Sequence, residues 1–126
     1  MVPISEHINE LRQLLRNLSA QNSEIEGATV VSVQGLPIVA AMATDANEGI
    51  VAAMSAAIVS VGERAAEELA RGKLQRILIE GDVGTFILSQ AGPQAILCVL
   101  CQKDAALGMI FLTMQSAARK IEAILG

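Results

Sequence analysis

The sequence predicts an α/β (α+β) protein, a three-layer α/β/α sandwich around a five-stranded antiparallel sheet. Three observations carry that expectation. Periodic segments follow the order helix, two strands, helix, three strands, helix. The joints between successive strands are too short for crossovers, so sequential strands pair antiparallel. The strands also carry apolar residues on both faces: Val30, Val31 and Val33; Ile77, Leu78 and Ile79; Ile96, Leu97, Val99 and Leu100. A sheet with one wet face alternates apolar and polar residues. Here helices must cover both faces.

Each element has its own reason. Ile4–Leu18 places Ile4, Ile8, Leu11, Leu14, Leu15 and Leu18 at the helical period, with Glu6, Glu10, Arg12, Gln13, Arg16 and Asn17 opposite. Asn22–Gly27 is rich in turn residues and breaks the pattern. Ala28–Val33 is short and β-branched, and Gln34-Gly35-Leu36-Pro37 turns it into a second strand, Ile38–Met42. Thr44-Asp45 offers an N-cap to a long Ala-rich helix, Ala46–Arg71, which Gly72 ends. Leu74–Glu80, Thr85–Gln90 and Gln94–Cys101 form a meander through Gly81-Asp82-Val83-Gly84 and Ala91-Gly92-Pro93. Asp104 caps a last helix reaching Leu125. One of its sides carries Leu107, Ile110, Phe111, Met114, Ala117, Ala118, Ile121 and Leu125, whereas Met109 and Leu112 fall on its polar side.

At roughly 150 residues per domain, the 126-residue chain makes a single domain, residues 1–126. Its composition, 52% hydrophobic against 17% charged, excludes disorder. A net charge of −4 and the absence of Trp and Tyr argue against nucleic acid as a partner. Three windows lack charge: Gly27–Thr44, Gly49–Gly62 and Val83–Gln102. Turns interrupt the first and third, and the second is shorter than the about 20 residues that a spanning helix needs. No signal peptide is readable, because Ser5, Glu6, His7 and Glu10 occupy the place of its apolar stretch. A cytoplasmic protein without membrane insertion is expected.

Catalytic and metal sites find no support either. Cys98 and Cys101 form a C-x-x-C, but on a strand residues three apart point to opposite faces, so they read as small core residues. Zinc would need two more ligands, and the sole histidine is His7 on the first helix. Gly81–Thr85 joins strand to strand and lacks the G-K-[ST] of a phosphate loop. Neither catalytic residues nor a cofactor is expected, and the chain does not read as an enzyme.

The middle helix is the informative element. At 100° per residue, Ile50, Val61, Met54, Ala65, Ile58, Val51, Leu69, Gly62, Ala66 and Val59 spread over about half of its circumference. Ser60, Glu63, Arg64, Glu67 and Arg71 crowd the remaining arc, with Glu63 or Glu67 in reach of Arg64 or Arg71. A helix on a sheet needs an apolar stripe only a little over ~100° wide. The excess predicts further burial, and in so small a protein a second copy is the cover.

The element order, the overlong helix and several local motifs resemble the roadblock/dynein light-chain (LC7) family, from about Ile4 to Leu125. Glu26-Gly-Ala-Thr-Val-Val-Ser-Val-Gln-Gly-Leu-Pro-Ile-Val39 is similar to the family's first hairpin with its G-L-P turn, although Gln34 stands where an acidic residue is usual. Ile77–Leu88 resembles the next hairpin, and Gln94–Cys101 followed by Ala106-Leu-Gly-Met109 resembles the closing strand and helix. The resemblance implies a roadblock/longin/profilin-like fold and binding rather than chemistry. It implies a homodimer that pairs Leu74–Glu80 and the helix Glu48–Arg71 across a two-fold axis. The interface residues would be Val51, Met54, Ser55, Ile58, Val59, Gly62, Leu74, Arg76, Ile77 and Leu78. It further implies a platform that binds, regulates or anchors a small Ras-like GTPase. Candidate contacts there are Ala53, Ala56, Ser60, Glu63, Arg64 and Glu67, although the residues alone favour a plain solvated face for the polar ones. The alternative is a small-ligand sensor or a scaffold subunit without a GTPase.

Overall fold

The computed structural model describes residues 4–42 and 46–126. Among the described residues the elements are α1 (Ile4–Gln21), β1 (Ile25–Ser32), β2 (Pro37–Met42), α2 (Glu48–Glu68), β3 (Ile77–Glu80), β4 (Gly84–Gln90), β5 (Ala95–Gln102) and α3 (Leu107–Leu125). The sheet runs β2-β1-β5-β4-β3, and every neighbouring pair is antiparallel. Element order, sheet and layers match the sequence expectation.

Strand alternation divides the core in two. Val30, Ile87, Leu97 and Val99 pack under α1 and α3, against Leu11, Leu15, Ile110, Met114 and Ile121. Their neighbours Val31, Leu88, Ile96 and Cys98 face the other way, toward Ala52 and Val59 of α2. Two helices cover one face and a single helix covers the other. That asymmetry leaves α2 with apolar surface to spare.

Several boundaries differ from the expected ones, each for a local reason. α1 continues past Leu18 to Gln21, where the Asn22 side chain accepts a hydrogen bond from the Glu24 N–H at 2.9 Å and turns the chain. Ile25–Gly27 belong to β1 rather than to a turn. Gly27 lies opposite Met42, so close that a Cβ on it would sit 2.9 Å from Met42 Cα. At the G-L-P turn, Gly35 adopts φ +95° and the Ser32 hydroxyl accepts from the Leu36 N–H at 3.0 Å.

The helix ends need more correction. Thr44 and Asp45 lie outside the described residues; α2 begins at Glu48, and Asn47 caps it by accepting from the Ile50 N–H at 3.0 Å. Gly72 does not end α2. The helix stops at Glu68, and Ala70 takes the left-handed conformation at φ 54°. Arg71 N–H then donates to Ala66 O at 2.8 Å and Ala70 N–H to Glu67 O at 3.1 Å, the paired bonds of a Schellman ending. β3 starts only at Ile77, leaving Leu74 and Arg76 in the segment before it. Asp104 is a left-handed turn residue (φ 62°) and not the cap of α3. The cap is Ala106, and its N–H donates to the Glu24 carboxylate at 3.2 Å.

Candidate functional site: the open face of α2 and β3

Small residues let α2 lie low on the sheet, and only Ala52, Ser55 and Val59 are buried along its length. A Cβ on Gly62 would meet Ile77 Cδ1 at 2.6 Å and Leu74 Cδ2 at 3.4 Å. Gly62 thus lets the helix close over the start of β3. Ile50, Met54, Val61 and Leu69 remain exposed, Val61 by 69%. Among the described residues β3 pairs with β4 alone, so its outer edge is free there, and Ile79 stands exposed beside it. A free strand edge next to an exposed apolar helix is a surface suited to another chain.

The predicted interface residues separate into three groups. Val51, Met54, Ile58, Gly62, Leu74 and Ile77 gather on this face, Met54 exposed and the others half-buried. Ser55 and Val59 point into the sheet and are covered by their own chain, so they support the face from beneath. Arg76 and Leu78 lie on the opposite side of the sheet. Arg76 stacks over the Phe111 ring at 4.4 Å, and Leu78 packs into the α1/α3 core. Strand alternation could have separated Leu78 from Ile77 and pointed to Ile79 in its place. Ile50 and Val61 belong to the surface too, as the helical period indicates.

The other flank of α2 carries the remaining candidates. Ser60, Glu63, Arg64 and Glu67 are exposed. Arg64 pairs with Glu68 at 2.8 Å instead of with Glu63 or Glu67, and the Arg71 guanidinium donates to Leu69 O at 2.9 Å. Ala53 and Ala56 underlie the G-L-P turn: a Cβ on Gly35 would lie 3.4 Å from Ala53 Cα and 3.7 Å from Ala56 Cβ. Exposed Leu36 tops that turn. By length and composition α2 could cross a membrane; here its Ala52–Ser55–Val59 side is packed on the sheet.

The cysteines lie on opposite faces, as the strand spacing predicts. Cys98 faces α2 and donates to the Ser55 hydroxyl at 3.5 Å, while Cys101 faces α1 and α3. Burial pushes the Cys98 thiol up to about 11, against a weaker opposing effect of the Ser55 hydrogen bond. Burial, then the Glu26 and Glu24 carboxylates, also raise that of Cys101. Both stay protonated at neutral pH and are poor nucleophiles. His7 is half-buried on α1, and no three His, Cys, Asp or Glu side chains gather as metal ligands among the described residues.

The geometry defines a small α/β/α sandwich with one overlong helix left open beside an edge strand. The Roadblock/LC7 domain family matches residues 11–101, and the chain belongs to that family. An uncharacterised protein of Methanocaldococcus jannaschii is 37% identical over 100 residues, covering 79% of this chain and 87% of its own. A Roadblock/LC7 domain from Streptomyces avermitilis is 30% identical with a TM-score of 0.64, covering 89% of this chain and 98% of its own. An MglB structure with a tetrameric arrangement reaches a TM-score of 0.85 at 17% identity, covering 94% and 89%; at that identity the likeness is one of fold.

Proposed function

We propose that the protein is a cytoplasmic, non-enzymatic homodimer whose joined α2 and β3 surfaces form a platform for a small Ras-like GTPase. The observation that carries this reading is the exposed apolar arc of α2 beside the free edge of β3. A two-fold axis through that edge joins the two sheets and buries Met54, Val61 and Ile79 of each copy. The GTPase half rests on family membership, since roadblock domains regulate or anchor such GTPases. Once the apolar arc is taken by the second copy, the polar flank with Ser60, Glu63 and Glu67 is what α2 still offers. The protonated thiols and the lack of a phosphate loop favour binding over turnover.

Titration calorimetry against each Ras-like GTPase of the source cell, in both nucleotide states, tests the reading. Binding in one state is expected, and Glu63→Lys/Glu67→Lys should weaken it while leaving the dimer intact. A folded dimer that binds none of them would favour the scaffold reading.

A further inference from the structure

We propose that the cavity between α3 and the chain leading into β3 is a binding site for a small organic phosphate. The site goes beyond the GTPase platform: it opens on the α3 side of the sheet, with Lys73 and Leu74 at its border with the α2 face. Its volume of about 570 Å³ is in the range of small-ligand sites. Lys73, Arg76 and Arg119 reach it, against one carboxylate, Glu122. Such a gathering runs against the chain, which has 13 acidic residues to 9 basic ones.

The cations are also uncommitted. Arg64–Glu68 is the one ion pair among the described residues, so none of the lining cations holds a carboxylate. Three cations beside a single carboxylate leave an excess of like charge, and a bound anion relieves that repulsion. Lys73 also borders a second hollow that carries Glu63 and Glu67, which leaves Arg76 and Arg119 as the principal ligands. The Arg76 guanidinium lies over the Phe111 ring at 4.4 Å, a contact that restrains its fork of donors. Ser89, Gln90 and Gln115 add neutral hydrogen-bonding groups, and Met114 and Ala118 give an apolar wall for the ligand's body. Two arginine forks and a lysine match a phosphate dianion better than a single carboxylate.

Nuclear magnetic resonance titration of the full chain with ribose 5-phosphate tests the site, with succinate and neutral ribose as comparisons. Saturable shifts at Ser89, Gln90 and Gln115 are expected with the phosphate ester. Arg119→Gln should weaken binding by about tenfold or more, as loss of a charge-assisted hydrogen bond does. Lys103→Gln, at the far end of β5, should leave it unchanged. Vesicles bearing phosphoinositide headgroups form a second arm. Binding to the soluble ester assigns a free metabolite, and binding only to those vesicles assigns a lipid headgroup. Binding to neither would overturn the proposal, as would succinate binding as tightly as the ester, or Lys103→Gln weakening binding as much as Arg119→Gln.

Discussion

Burial makes the Cys98 proton part of the fold's stability. The unfolded thiol ionises near 9.0, whereas the folded one is pushed up to about 11. Above the lower value the unfolded chain sheds a proton that the folded chain keeps, so ionisation favours unfolding. This contribution is whole below pH 9 and is lost as the pH climbs toward 11, by roughly 3 kcal/mol in total. Urea midpoints measured at about pH 8 and about pH 10 should therefore fall more in the native protein than in Cys98→Ala. Equal falls would place the effect elsewhere. Cys98→Ala/Cys101→Ala should keep all partner binding and lose only packing stability, read by calorimetry beside thermal melts. The opposed cysteines were legible in the sequence because strand alternation is strict. Gly27 was not, because a glycine closing the turn-rich run that starts at Asn22 looks the same whether it serves a turn or a close approach. Its role is set by Met42, fifteen residues on. Gly27→Ala should cost about 1–3 kcal/mol by forcing β1 and β2 apart, as a lowered melting temperature would report.

At the scale of elements, periodicity specifies what forms and local chemistry decides where it stops. All eight elements were legible from apolar spacing. The ends of α2 were less so, because several residues compete for the same role. Thr44 and Asp45 are as good caps as Asn47 in the abstract, and the register of α2 on the sheet selects Asn47. Asn47→Ala should then cost about 1 kcal/mol. At the other end a glycine stands two residues beyond the position that needs one. Ala70 bears the left-handed conformation while Gly72 lies past the ending, so packing of Leu74 and Ile77 against Gly62 outweighs the propensity of Ala70. Ala70→Gly should relieve the misfit and raise stability by up to about 1 kcal/mol, seen as a higher urea midpoint with unchanged slope. A loss on that substitution would show that the Ala70 methyl has a packing role outweighing its backbone cost.

For the whole molecule, the question is what covers α2. The helix wheel already showed a surplus of apolar surface, and the sheet order adds that the surplus adjoins a free edge rather than a covered strand. Alternation separates Arg76 and Leu78 from Ile77 and Ile79, whereas the place of Leu74 beside Gly62 was less legible, because it lies before β3 begins at Ile77. A second copy seated on this face should bury a standard interface of about 1,200–2,000 Å² or more. Val61 and Met54 are the best probes. They are 69% and 50% exposed in the single chain, so a charge on either costs the protomer's own core little. Between two copies the same charge would be buried without a partner, at a cost of several kcal/mol. Val61→Asp and Met54→Glu should each turn a dimer into a folded monomer, with unaltered circular dichroism and halved mass by light scattering. Thr113→Glu, on the α3 side of the sheet, should remain a dimer. Native protein that is monomeric at micromolar concentration, or a Val61→Asp dimer as tight as the native one, would mean that something other than a second copy covers this face.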